Sequence, residues 1–157
     1  MPYDDPMNET TRIRDQLERS HRGPAWHGPS LLENLEGVTA AVAARRKVPG
    51  AHSIWEIVRH VTVWEAEVAR VLDGKEYVSL QGDAEWPPLA DTGDAAWKTA
   101  LEELDGANAA LCDAVTRFRE DRLNEKVAQR DFSFYGLMHG VVQHNLYHAG
   151  QIGLLRK

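Results

Sequence analysis

Apolar residues recur with helical spacing along most of the chain, and no stretch alternates long enough with the period of two that is typical of a β-strand. The clearest helix is predicted between Ser53 and Gly74, where apolar side chains lie three or four residues apart. This is the spacing of a helix-bundle seam. Ser53 and Glu56 have the pattern of a capping box at its start. The seam positions are Ile54, Ile57, Val61, Trp64, Val68 and Val71.

The same reasoning predicts three other long helices. The first runs from about residue 8 to residue 20, and the third from about residue 92 to residue 118. The last begins at Ser133 and continues to Leu155. Two short helices are predicted after Ser30 and Thr39, where side chains that favour a helix start precede a run of helix formers. The sequence therefore predicts an all-α protein built around a four-helix bundle.

A long connection, residues 75–91, separates the second and third long helices. Gly82, Pro87 and Pro88 interrupt any helical pattern there. A connection of this length can stretch about 55 Å, which is enough to return along a helix of about 30 Å. The second and third helices can therefore lie parallel, with the last helix antiparallel to the second.

Composition limits the classes of protein that remain. The 157 residues carry a formal net charge of −6, which disfavours a grip on nucleic acid. We expect a single domain, 1–157, with a flexible N-terminus at residues 1–7. No apolar run approaches the roughly 18 residues that span a bilayer, and the N-terminus lacks the pattern of a secretory signal. Because Cys112 is the only cysteine, we expect a reducing, cytoplasmic location.

Three of the seven histidines are predicted to face one another. His144 and His148 are four residues apart, so they project about 40° apart on one helix face. Val141 and Ile152 fall within about 80° of His144 on the same helix, so this face points inward. His60 lies beside the seam of the second helix, and an antiparallel last helix places it at nearly the same height as the pair.

Three imidazoles with one open coordination position are the pattern of a catalytic metal site. The alternative from spacing alone is that all three are core histidines bonded to backbone or water. The stretch from His144 to His148 contains no glutamate, which argues against a zincin metalloprotease.

Two segments resemble a known family. Residues 53–61 (SIWEIVRHV) and 139–152 (HGVVQHNLYHAGQI) are similar to the two signature regions of the DinB/YfiT-like family, which is unrelated to the DNA polymerase that shares the DinB name. The 86–88 segment (WPP) followed by Trp97 is similar as well. The resemblance covers most of the chain from Trp26 onward.

The resemblance implies a four-helix bundle of up-down-down-up topology, often a homodimer. It also implies a divalent metal, commonly zinc or nickel, held by His60, His144 and His148. The understood relatives are bacterial thiol-dependent S-transferases and isomerases, and some members are described only as hydrolases. We therefore expect a metal-dependent S-transferase that uses a low-molecular-weight thiol. The alternatives are a hydrolase that activates water, a metal- or ligand-binding stress protein without turnover, and a metal-free helical interaction module.

Other residues receive secondary roles. Glu67 and Gln151 are candidates for contacts to the outer side of the histidines, or are simply polar edge residues. Trp64 and Tyr147 are candidates for a pocket beside the metal, although core packing is the usual role of such aromatics. No general base is identified. His21 and His27 are interpreted as surface residues, and His52 as a helix-entry or surface residue. His139 lies about 140° around the last helix from His144, so it is not expected to bind the same ion.

Overall fold

The computed structural model describes residues 8–157, and this range contains α-helices and two short 3-10 turns but no β-strand. The predicted all-α class is therefore confirmed. The predicted flexible segment, residues 1–7, lies outside the described residues. Four helices are long and two are short: α1 (Glu9–Arg22), α2 (Leu31–Leu35), α3 (Ala40–Ala44), α4 (Ile54–Leu72), α5 (Asp94–Arg117) and α6 (Phe134–Leu155).

Side-chain caps fix the starts of the helices. In the predicted capping box of α4, the backbone N–H of Glu56 donates to Ser53 Oγ at 3.2 Å. The backbone N–H of Ser53 donates in return to the Glu56 carboxylate at 2.7 Å. Ser133 caps α6 through the backbone N–H of Gly136, at 3.1 Å. Two orphan donors are thereby satisfied at the start of α4, so the position of His60 along that helix is well defined.

The long helices pack in four pairs, with α4 against α5 and α6, and α1 against the same two helices. Trp55 near the start of α4 lies 5.0 Å from Trp97 near the start of α5, measured between ring centroids. At the other ends of these helices, Arg117 forms an ion pair with Asp73 at 3.0 Å. The first half of α4 therefore lies beside the first half of α5, as the long connection allows.

The core consists of two apolar clusters stacked along the helices. One contains the last turns of α4 and the first turns of α6, and the other contains the first turns of α4 and the last turns of α6. Val68 and Val141 belong to the first cluster, and Val61 and Ala149 belong to the second. His144 lies where the two clusters meet along α6, and His60 lies beside Val61 near the end of the second cluster on α4.

The connection between α4 and α5 is anchored to α4 by side chains. Glu67 is buried, and its carboxylate accepts from the backbone N–H of Val78 at 2.6 Å and from the Arg70 guanidinium at 2.8 Å. Further along, the Arg59 guanidinium donates to the carbonyl of Pro88 at 2.6 Å. These bonds hold the connection against the side of α4 that carries His60.

The interpretation of His21 as a surface residue was wrong. Its side chain is fully buried at the end of α1, and its Nε2 lies 2.9 Å from the Asp105 carboxylate. Burial lowers the pKa of His21, although Asp105 opposes this shift.

Among residues 8–157, no helix combines the length and the apolar character that a membrane crossing requires.

Candidate metal centre

Three histidines converge from α4 and α6, and we refer to His60, His144 and His148 as the His triad. His60 Nε2 lies 3.0 Å from His144 Nε2, and His144 Nε2 lies 3.1 Å from His148 Nε2. The candidate ligand atoms all lie within 4.8 Å of one another. His60 and His148 are buried, and His144 is partly exposed. Residues that are 84 positions apart in sequence are thus brought together with their ring nitrogens facing one point.

The outward nitrogens of two of these rings identify their tautomers. His60 Nδ1 lies 3.0 Å from the backbone carbonyl of Glu85, which can only accept a hydrogen bond. His148 Nδ1 lies 2.7 Å from the side-chain oxygen of Gln151. Both Nδ1 atoms therefore carry the proton and donate it. The inward Nε2 atoms of His60 and His148 are therefore unprotonated, and each has a free lone pair.

This arrangement fits a cation. The lone pairs of His60 and His148 both face His144 Nε2, which can donate at most one proton to one of them. Neutral imidazoles alone would therefore leave an acceptor facing an acceptor. A tetrahedral zinc site with Zn–N distances of about 2.0–2.1 Å has its nitrogens about 3.3 Å apart. The observed separations of 3.0 and 3.1 Å are close to that value.

Burial keeps the His triad in the neutral form that binds metal. Desolvation lowers the pKa of His144 to about 3, with smaller contributions from the neighbouring His148 and His60. Desolvation also lowers the pKa of His148 to about 4, against a hydrogen bond to Gln151 that raises it. The pKa of His60 is lowered for the same reason. At neutral pH the three rings therefore offer lone pairs without first losing a proton.

An aromatic stack supports His60 from the connection between α4 and α5. The Trp86 ring lies parallel to the His60 ring, with centroids 3.8 Å apart, and His52 covers the opposite face of Trp86 at 3.5 Å. Sequence reasoning did not find the Glu85 carbonyl or the Trp86 ring as parts of the site, and it explained His52 as a helix-entry residue. Trp86 was noted only through the resemblance.

The four secondary candidates lie in different places. Gln151 contacts the outer nitrogen of His148 directly. Glu67 instead binds Arg70 and the backbone of Val78. Trp64 lies edge-on to both His60 and His144, at 6.5 and 6.3 Å between ring centroids. Tyr147 touches the edge of His148 but is 65% exposed, so it lies at the surface beside the site.

An apolar cleft of about 380 Å³ opens beside His144, and we call it the His144 cleft. It lies between α4 and the first turns of α6. His144 lies at one end of the cleft, and its imidazole is a polar group in a lining that is mostly apolar. The cleft is lined by Trp64, Val68, Phe132, Gly136, Leu137, Gly140, Val141 and His144.

A second buried polar group joins α4 to α5 and α6. Glu65 is fully buried in α4, and one carboxylate oxygen accepts from Asn108 at 2.8 Å and from Asn145 at 2.7 Å. Its other oxygen has no hydrogen-bond partner within residues 8–157, and neither has the Asn145 side-chain oxygen. Burial raises the pKa of Glu65 to about 7, although both amide donors oppose this.

Comparisons with known proteins place the chain in a family. Searches of curated proteins and of solved structures found no match. A family model described as the DinB superfamily matches residues 26–152, which is most of the chain and includes all three members of the His triad. The chain belongs to the DinB superfamily.

Proposed function

We propose that this protein is a divalent-metal-dependent enzyme that transfers the sulfur of a low-molecular-weight thiol to an electrophile. The His triad holds the metal, zinc or nickel, and leaves a coordination position open. The proposal is supported by one observation above all. His144 Nε2 lies within hydrogen-bond distance of both His60 Nε2 and His148 Nε2, while the Nδ1 protons of His60 and His148 are used on outward acceptors.

A divalent cation bound by the His triad supplies a Lewis acid that lowers the pKa of a thiol near it. The transfer then replaces one bond of the electrophilic carbon by a bond to sulfur. The thiol gives its proton to solvent, its sulfur forms a bond to the electrophilic carbon, and the leaving group departs with the electron pair of the bond that breaks. No protein side chain has to accept the proton of the thiol in this scheme.

The chain's own residues prepare this reaction. Glu85 and Gln151 orient the outer two rings before a ligand arrives, and Trp86 restricts the His60 ring from one face. Polar partners of this kind fix the orientation and tautomer of metal-binding histidines. The His144 cleft provides a place with little polar surface for the second substrate.

Metal content is the first test. Purified wild-type protein should contain about one equivalent of zinc or nickel per chain by elemental analysis, whereas His60→Ala and His148→Ala should each lose most of it. His139→Ala is the matched control, because His139 lies on α6 but contacts Tyr135 and Glu9 instead of the His triad. Equal metal in all four proteins, or none in any, would contradict the proposal.

Turnover is the second test. Metal-loaded wild-type protein should accelerate loss of thiol when iodoacetamide is mixed with cysteine, mercaptoethanol and other small thiols, and His144→Ala should abolish the acceleration. Hydrolysis of esters or amides without thiol consumption would favour the hydrolase alternative. Stoichiometric metal with no turnover across both panels would favour a binding protein without catalysis.

We propose further that the four long helices form an up-down-down-up bundle and that the protein is a homodimer. Support for the topology comes from the contacts that join the first half of α4 to α5 and to the second half of α6. The dimer follows from the resemblance alone. Sedimentation analysis of the purified protein tests the dimer.

A further inference from the structure

We propose that the His144 cleft binds the electrophilic substrate and that this substrate is uncharged with a flat apolar body, such as a substituted benzene ring. The inference rests on the proposed function in taking the ligand to be an electrophile. The shape of the ligand and its lack of charge are inferred from the lining of the cleft. The reactive carbon would lie at the His144 end, and the apolar body would extend towards Val68 and Phe132.

The lining of the cleft contains no Asp, Glu, Lys or Arg side chain. The polar groups of the lining side chains are the His144 imidazole, whose Nε2 faces His60 and His148, and the indole N–H of Trp64. Away from the His144 end, where the proposed metal lies, a charged group in this space would lose water without gaining a partner, which is unfavourable. The body of the cleft is therefore suited to apolar ligands and discriminates against carboxylates and ammonium groups.

Two glycines open the floor of the cleft on α6. Gly136 and Gly140 are one helical turn apart, and both belong to the lining. A Cβ atom added at Gly140 would meet no atom within 4 Å, so the space above it is empty. Glycine within a helix is less favourable than alanine. The helix thus lacks side chains at the positions where they would enter the cleft.

Aromatic rings form part of the cleft wall. Trp64 and Phe132 are in the lining, and Tyr77 lies behind both, at 6.5 Å from Trp64 and 5.5 Å from Phe132 between ring centroids. The Arg130 guanidinium covers Tyr77 at 4.8 Å. Aromatic walls of this kind favour stacked or edge-on contacts with another ring. The volume of about 380 Å³ lies at the lower end of the range for small-molecule pockets.

The binding test uses unreactive amides and zinc-loaded protein. Acetanilide should bind saturably at one site per chain, measured by ligand-observed NMR and calorimetry, and at least about tenfold more tightly than acetamide. The anion para-acetamidobenzoate should bind at least about tenfold more weakly than its uncharged amide of the same shape. Because the open position on zinc can hold a carboxylate, the anion and its amide are also compared in chelator-treated protein, where equal binding would overturn the proposal.

Two substitutions locate the binding site. Gly140→Leu places a side chain in the cleft and should weaken acetanilide binding at least about tenfold. Gly150→Leu is the matched control, because Gly150 is exposed on the same helix, has equally open space at its Cβ and is outside the lining; it should bind acetanilide as wild type does. Gly140→Ala, which favours the helix, should cause a smaller loss in the same direction and decides the question if the leucine variant does not fold. Unchanged binding in both Gly140 variants would refute the assignment.

A transfer assay separates this inference from the proposed function. With mercaptoethanol as the thiol, iodoacetanilide should be a better substrate than iodoacetamide by about the ratio of the two binding constants. Selective binding of acetanilide without any transfer would reject the proposed function and leave the cleft as a site for apolar ligands. Transfer with no preference for iodoacetanilide would reject the cleft and leave the function standing.

Discussion

Glu65 makes the stability of this protein depend on pH in a direction that is unusual for a glutamate. Its carboxyl is fully buried in α4, with two amide donors on one oxygen and none on the other within the described chain. Desolvation raises the pKa to about 7 from an ordinary value of 4.5, although the hydrogen bonds from Asn108 and Asn145 oppose it. We therefore expect Glu65 to be protonated in the folded state well above the pH at which it ionises in the unfolded chain.

Proton linkage gives the direction and the size of this pH dependence of the free energy of unfolding. Between pH 4.5 and about 7 the folded state holds the Glu65 proton and the unfolded state has lost it, so the free energy of unfolding falls as pH rises. At about 1.4 kcal/mol per pKa unit, the loss across this window is about 3 kcal/mol. His144 and His148 act oppositely, because their lowered pKa values make the protein less stable as pH falls below 6.5.

Replacing Glu65 separates these opposing contributions. Glu65→Gln keeps the shape of the side chain and an oxygen for the two amide donors, but it cannot ionise. Urea unfolding of chelator-treated protein at about pH 5 and about pH 8 gives the free energy of unfolding for wild type and variant. The variant minus wild-type difference should rise by about 2 to 3 kcal/mol between the two pH values.

An exposed glutamate on another helix serves as the control for Glu65. Glu103→Gln on α5 changes an exposed carboxylate and should give a difference that stays constant with pH. If the Glu65→Gln difference is also constant, the carboxyl ionises at the same pH in both states. The claim that burial governs its titration would then be wrong.

Three further predictions concern the supports of the site and of α4. Gln151→Leu removes the acceptor for His148 Nδ1 and should weaken zinc binding about 10- to 100-fold in a chelator competition, whereas Gln143→Leu, exposed on the same helix, should not. Trp86→Ala removes the ring that stacks on His60 and should weaken zinc binding in the same assay, whereas the fully exposed Trp26→Ala should leave it unchanged; equal affinities would refute the role of the stack. Ser53→Ala removes the cap of α4 and should lower the free energy of unfolding by about 1 kcal/mol in urea, and no loss would contradict the cap's contribution.

The sequence was sufficient for the helices and for the His triad because both depend on local rules. Caps such as Ser53 and Ser133 mark helix starts, and helical spacing places His144 and His148 on one face. The height of His60 follows once the long connection allows α4 and α6 to run in opposite directions. Side-chain position along a helix is fixed by geometry, so the prediction of the His triad needed one tertiary assumption, the antiparallel direction of α4 and α6.

The partners of the His triad depend on tertiary contacts and were not predictable in the same way. The Glu85 carbonyl and the Trp86 ring reach His60 only because the connection folds back on α4, where Arg59 and Glu67 bind its backbone. Gln151 was a candidate because it shares a helix with His148. Glu65 did give a signal, since it lies four residues after Val61 and three before Val68, which places a carboxylate within the apolar seam.

The connection between α4 and α5 therefore links the fold to the proposed chemistry. It contributes the acceptor that fixes the tautomer of His60 and the ring that limits its rotation, while Gln151 does the corresponding work for His148 from α6 itself. Because folding already orders these groups, a metal would meet oriented lone pairs, and its binding would need little further ordering. A long connection with two prolines is thus explained by its contacts as well as by the topology that it permits.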